Sequence, residues 1–331
     1  MTMDDERENG NVYATFADLM KLQRVDDHTF KSLTKAFSPG NETTAYGGHV
    51  FAQAVWAAAQ TVKEGFVVHN VTGWFTIAGN TAQPFAYTVR NVRDGKLFCT
   101  RAVDASQARG VCFTCTCSFK RSESSPISHQ EPINLAEQYA LGQKKPEDWP
   151  EAPGVDSPWF WEAIVANGDN YPFPGLSIRK VDMTSYNKDR SPTQRRQLQY
   201  YSVLGSLPPL SSAPNLHACA HLYASDRNSD FVITNHMDVG NDFTHMASLS
   251  HSVVFHAEPE ALSMVDEQGK PRWFCQEARM TRAGGNRGMH ESRLVDEGGV
   301  HVATTWQDAL VRFGGRMGTV EELAERLRAK L

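Results

Sequence analysis

The alternation of apolar and polar positions divides the chain into two blocks built on one plan. In the first block, residues 47–61 (GGHVFAQAVWAAAQT) are dense in Ala and carry Val50, Phe51, Val55 and Trp56. A helix apolar almost all round belongs inside a core rather than on a surface. Period-two runs follow at 69–77, 85–92, 96–106 and 111–120, the pattern of half-buried strands. Asp94-Gly95 predicts a two-residue hairpin, because that turn wants φ > 0 at both central positions. Arg109-Gly110 joins the next pair. The second block has a helix at 216–225 (LHACAHLYAS) and runs at 246–257, 272–282, 287–295 and 300–313. Turns at Gly269, 283–286 (AGGN) and 297–299 (EGG) separate them. Strand-like runs also precede each helix, near 28–37 and 195–204.

The blocks share almost no identities yet keep the same element order, a duplication at the level of architecture. A central apolar helix wrapped by a curved antiparallel sheet, made twice, predicts an α+β double hot dog. Its two sheets can pair edge to edge, which protects exposed strand edges. Between the blocks, residues 121–175 are rich in Pro, Ser, Glu and Lys (RSESSPISHQEPIN, QKKPEDWPEAPG). This predicts a surface connector with short helices only at 135–142 and 158–166. The expected organisation is an N-terminal hot-dog domain at 12–121, a connector at 122–175, and a C-terminal hot-dog domain with a terminal helix at 176–331. Residues 1–11 form a polar leader.

Composition narrows the function. The 331 residues carry 38 acidic and 33 basic side chains, a formal net charge of −5. That balance offers no basic stripe for nucleic acid. No run approaches the roughly 18 apolar residues of a membrane span. The start, MTMDDERENGNVY, is the opposite of a secretory signal. Six thinly spread cysteines, mostly in apolar strand runs, predict free thiols in a reducing, intracellular compartment.

Familiar catalytic signatures are missing: no GxSxG elbow, no Walker loop and no HExxH. His217 and His221, spaced i, i+4, share a helix face, but no third metal ligand accompanies them and packing is the expected role. Cys115 and Cys117 alternate with Phe113 and Phe119 as core positions. AGGNRG at 283–288 has no following helix to hold a phosphate and is a turn. Gly47-Gly48, opening the first helix, can bring backbone N–H groups close to a developing oxyanion, or can simply pack closely on a sheet. Asp226 ends the second helix, where a carboxylate opposes the helix dipole and its pKa rises. Ser248 falls by alternation with Ser250 and Ser252, opposite Leu249, Val253 and Phe255. Gln307 shares a strand face with Ala303, Thr305 and Ala309, whose small side chains leave room for a ligand.

Together these segments resemble the acyl-CoA thioesterase II family, the bacterial and peroxisomal double-hot-dog thioesterases. YGGHVFAQAVWAAA is similar to its first helix, and RDGKLFCTRAV to its first-domain hairpin. LYASDRN, ASLSHSVVFH and VATTWQDALVR resemble three second-domain segments, in order. The resemblance runs from about Phe16 to Phe313. It departs from the family at Ser250, where an Asp is usual, at FTIAGNTAQPF, and in having Ser248 where Thr is frequent. It implies hydrolysis of acyl-CoA to a free acid and CoA, with no metal or organic cofactor. The resemblance further implies Asp226 as general base or water acceptor, Ser248 and Gln307 as the residues that hold the water, and N–H groups near Gly48 and His49 as those that polarise the carbonyl. A hot-dog enoyl-CoA hydratase or dehydratase, and a non-catalytic acyl-CoA-binding protein, remain as alternatives. A homo-oligomer is expected. Ala329-Lys330-Leu331 resembles a relaxed peroxisomal address in a eukaryotic source, the enzyme otherwise being cytoplasmic. Leu323, Leu327 and Leu331 equally form the apolar stripe of a terminal helix.

Overall fold

The computed structural model describes residues 14–39, 43–163 and 173–315, with positions 318, 319, 322 and 325. The polar leader and Ala329-Lys330-Leu331 lie outside the described residues, as do all but three positions (319, 322 and 325) of the expected terminal helix at 319–331.

The first half contributes strands β1 (Leu22–Arg24), β2 (Thr29–Ser32), β3 (Phe66–Phe75), β4 (Ala86–Asp94), β5 (Phe98–Gln107) and β6 (Gly110–Arg121). The second contributes β7 (Leu176–Lys180), β8 (Gln197–Val203), β9 (Phe243–Phe255), β10 (Phe274–Gly284), β11 (Arg287–Asp296) and β12 (His301–Phe313). They form one antiparallel sheet in the order β1-β2-β4-β5-β6-β3-β9-β12-β11-β10-β8-β7. The two half-sheets meet where β3 pairs with β9, from Asn70↔Val254 to Trp74↔Ser250.

Each half wraps one central helix, Gly47–Ala59 and Pro214–Ser225. The pattern of the first explains its place: of the residues from Gly48 to Ala58, all but Trp56 are buried. The second is buried from Asn215 to Ser225, and the two helices pack on each other. This is the expected α+β double hot dog. His217 and His221 belong to this core. The His217 ring bonds the Pro208 carbonyl at 2.9 Å and accepts from the Met264 N–H at 3.0 Å. His221 bonds the Tyr201 hydroxyl at 2.8 Å and the Leu262 carbonyl at 3.0 Å. All four ring nitrogens are therefore occupied within the core. The six cysteines are free and buried.

Two local expectations are corrected. The β4–β5 connection spans residues 95–97, and neither Asp94 nor Gly95 takes a positive φ. Asp94 instead accepts from buried Arg101 at 2.8 Å, and Arg101 also bonds the Thr61 hydroxyl at 2.9 Å. The hairpin is thus tied to the end of the first helix by a charge pair rather than shaped by a tight turn. AGGN does make a turn with positive φ, 63° at Gly285 and 58° at Asn286. The connector is not a surface strap throughout. Leu135, Tyr139, Leu141 and Trp149 pack in one buried cluster with Val181, Leu198 and Cys275. Strands β1 and β7 and a short helix, Phe231–His236, were not expected. That helix presses Ile233 against Gly288 so closely that a Cβ there would stand 2.4 Å from Ile233 Cδ1. Among the described residues, no helix is long and apolar enough to cross a membrane.

The β3–β9 seam makes its own demand on side-chain size. A Cβ at Gly73 would meet the Phe113 ring at 2.3 Å and Cys115 Cβ at 2.9 Å. Gly73→Ala should cost about 1–3 kcal/mol, read as a lower urea midpoint with an unchanged slope. An unchanged midpoint would mean that the seam has slack around Phe113.

Candidate active site

Asp226 caps the second central helix with φ −86° and ψ −11°, and is 6% exposed. Its carboxylate lies against the start of the first helix: a Cβ on Gly47 would stand 2.9 Å from Oδ2. The Gly48 N–H donates to this carboxylate, and the Ser229 hydroxyl lies 3.3 Å from Oδ1. Gln307, reaching in from β12, donates from Nε2 to Asp226 Oδ1 at 2.8 Å and to Ser248 Oγ at 2.6 Å. One amide nitrogen therefore joins the three residues expected at the site.

Ser248 arrives there by a route that simple alternation misses. Along the β12–β9 ladder Gln307 pairs with His251 and Asp308 with Ser250, but Ala309 pairs with Ser248. Leu249 is left unpaired as a bulge, which exchanges the faces of the strand at that point. Ser248 thus shares the inner side with His251 and Gln307, whereas Ser252 stays on the other face, donating to Thr72 at 3.1 Å.

Burial dominates the electrostatics. It lifts the Asp226 pKa to about 6, offset in part by the bonds from Gln307, Gly48 and Ser229. Desolvation, rather than the helix dipole, is the leading cause. The imidazoles around the site are held neutral by the same effect. His251, across the ladder from Gln307, bonds the Ser225 hydroxyl at 2.8 Å and is lowered to about 4 by burial. His290, on the other side of Gln307, is lowered to about 3, chiefly by burial.

The two residues proposed to polarise a carbonyl are turned inward. The Gly48 amide is directed at Asp226, and the His49 amide donates to the Tyr46 carbonyl at 3.2 Å. The His49 ring is fully buried beside Tyr223, its pKa lowered to about 4 by burial. A carboxyl that sequence reasoning did not single out completes the group. Asp230 accepts from the Ser248 hydroxyl at 3.2 Å and lies 3.5 Å from Gln307 Nε2. Its only sequence signal is its distance of four residues from Asp226. Among the described residues, no group of three or more His, Cys, Asp or Glu side chains could hold a metal ion.

Comparison with known proteins gives this arrangement a family. Residues 37–120 match the acyl-CoA thioesterase N-terminal domain and residues 146–311 the acyl-CoA thioesterase C-terminal domain. The chain is 27% identical over 304 residues to acyl-coenzyme A thioesterase 8 of Mus musculus, covering 89% of this chain and 88% of that protein. It is 24% identical over 305 residues to acyl-CoA thioesterase 2 of Haemophilus influenzae, covering 89% and 96%. In fold it resembles acyl-CoA thioesterase II TesB2 from Mycobacterium marinum, with a TM-score of 0.68, 22% identity, and 90% and 97% of the two chains covered. A hot-dog protein of unknown function from Alicyclobacillus acidocaldarius superposes with a TM-score of 0.64 at 17% identity, over 90% and 97%. With both domain models matched in order over more than half of its length, the chain belongs to the acyl-CoA thioesterase family and hydrolyses acyl-CoA thioesters.

Proposed function

We propose that hydrolysis proceeds by direct attack of one water held by Asp226, Ser248 and Gln307, without an acyl-enzyme. The observation that carries this reading is the single Gln307 nitrogen bonded to both Asp226 and Ser248. With its two amide hydrogens so engaged, Gln307 fixes the orientation of a carboxylate and a hydroxyl that can share a water. Asp226 takes a proton from that water as its oxygen bonds the thioester carbonyl carbon. Collapse of the adduct breaks the C–S bond and leaves a carboxylic acid and the CoA thiolate, with the proton taken from the water still on Asp226. A base with a pKa near 6 is ionised at neutral pH yet still basic enough to accept a proton, the useful range for such a group. The Gly48 amide, on this reading, clamps the base rather than the substrate carbonyl.

Two further features, location and assembly, are part of the same proposal. The terminal Ala329-Lys330-Leu331 supports import into the peroxisome in a eukaryotic host. A homo-oligomer follows from the habit of hot-dog domains to associate.

Asp226→Asn should fold normally and release thiol from acyl-CoA ~10²–10⁴-fold more slowly than the unaltered enzyme. A wild-type rate in a well-folded variant would remove Asp226 from the mechanism. In the unaltered enzyme kcat should fall as pH drops through about 6, where the base becomes protonated. Stability runs the other way. Folding raises the Asp226 pKa from 3.8 to about 6, so its contribution is full below 3.8 and lost as pH rises through 6. Asp226→Asn should therefore unfold at a higher temperature than wild type above pH 6. Deleting Leu331 from a fluorescently tagged copy in a eukaryotic cell should leave it diffuse; persistent puncta would exclude the tail as an address. Light scattering should return a multiple of the 36.8 kDa chain mass, and a monomer at working concentrations would end the oligomer reading.

A further inference from the structure

Asp230 is left without a task by the water-attack mechanism, yet it is built into the centre of the site. The turn from Asp226 to Asp230 is held rigidly. Asn228, in the left-handed region at φ 59°, accepts from the Asp156 N–H at 2.8 Å and donates to the Asp156 carbonyl at 2.9 Å. The Ser229 hydroxyl donates back to the Asp226 carbonyl at 2.8 Å. This geometry aims both carboxyls at one amide, with Gln307 Nε2 at 2.8 Å from Asp226 and 3.5 Å from Asp230. Two carboxyls that share a poorly solvated site do not both ionise near neutral pH.

The surroundings decide which one keeps its proton. Asp226 holds the Gly48 amide and the short bond from Gln307, both of which favour its charge. Asp308, next to Gln307 on β12 but on the other face of the sheet and paired with Arg287 of β11 at 2.6 Å, adds a weaker repulsion to Asp230. His251 on β9, His290 on β11 and His236 on the following helix are buried, neutral rings. Tyr46, before the first helix, is likewise held in its neutral form by burial. No described cation bonds Asp230. Burial first, and then the charges of Asp226 and Asp308, push it up to about 8. Position also separates the two. Asp226 and Gln307 are buried, whereas Asp230 and Ser248 keep part of their surface exposed. The CoA half of the substrate is large and polar, so the side of the site that keeps exposed surface, that of Asp230 and Ser248, is the side that suits it.

We propose that Asp230 is the acid partner of Asp226, giving its proton to the CoA sulfur as the C–S bond breaks. This rests on the water-attack reading above. Asp226 gains the water proton when the C–O bond forms. The electron pair of the C–S bond goes to sulfur, and sulfur takes the Asp230 proton. The turnover ends with Asp226 protonated and Asp230 ionised. Moving one proton from Asp226 to Asp230 restores the starting state, and the order of their proton affinities makes that transfer downhill. No other reactant is consumed.

The test uses Asp230→Asn, which keeps size and hydrogen bonding but cannot donate a carboxyl proton. With acyl-CoA it should lower kcat by roughly 10²-fold. With the 4-nitrothiophenyl ester of the same acyl group, whose thiolate leaves without a proton, the loss should shrink to a few-fold. The wild-type kcat profile should fall again above about pH 8, and this alkaline limb should vanish in Asp230→Asn while the acidic limb stays. Equal losses on both thioesters, or a wild-type profile flat above pH 8, would overturn the proposal. If the variant fails to fold, wild type alone decides: its rates across thioesters of graded thiol acidity should be nearly level, and a steep dependence overturns the idea. Failure of the water-attack reading is separately visible, as Asp226→Asn retaining full thiol release.

Discussion

The pairing of β3 with β9 is the constraint from which the site follows. Each half-sheet has an unpaired edge until those strands meet, and their register from Asn70↔Val254 to Trp74↔Ser250 fixes how the halves face each other. Once joined, the two central helices pack directly, and the glycine start of one meets the aspartate end of the other. Any side chain at Gly47 would crowd the Asp226 carboxylate, which gives the Gly-Gly start a steric cause. Asp226 receives the Gly48 amide from the first half and Gln307 from the second. Neither half alone supplies both donors.

A buried carboxylate also needs a backbone that does not shift, and the segment between the domains provides it. Arg227, 1% exposed, donates to Gln199 of β8 and to the Pro153 carbonyl of the connector. Asp156, next along the connector, pairs with Lys180 of β7 and is bonded to Asn228. The connector is therefore a brace for the turn that carries Asp226 and Asp230. Buried polar networks of this kind are favourable only when nearly every member is satisfied, so the brace and the turn hold each other in place.

Much of this was legible in the chain, and the exceptions have physical causes. The Ala-rich segment with Val50, Phe51 and Val55 announced a buried helix because no polar stripe interrupts it. Asp226 and Gln307 were found through their motifs, and the structure brings them within 2.8 Å. Ser248 was expected at the site by resemblance but assigned to the wrong face by alternation. Period-two reasoning assumes an unbroken ladder, and the bulge at Leu249 breaks it. The connector misled because Pro and Glu dominate its composition, while a few large residues such as Trp149 do the burying. Asp94-Gly95 failed as a tight turn because the Arg101 ion pair outweighs local turn preference. Asp230 carried no signal beyond its spacing from Asp226. Its meaning lies in a positive-φ residue between it and Asp226, which a linear pattern does not display.

The site and the fold place opposite demands on pH. In the proposed mechanism desolvation makes Asp226 a usable base near neutrality, and the same desolvation makes its ionisation unfavourable to the folded state. Asp230 sharpens the conflict, since its neutral form is the one the folded chain prefers until pH approaches 8. From 3.8 upward each carboxyl is more readily ionised in the unfolded chain than in the folded one, so both contributions to stability decline with rising pH. The range in which one carboxyl is charged and the other neutral therefore lies where the fold has already lost part of what its protonated form contributes. The β3–β9 seam, the packed helices and the connector brace work against that loss, holding the turn from both sides.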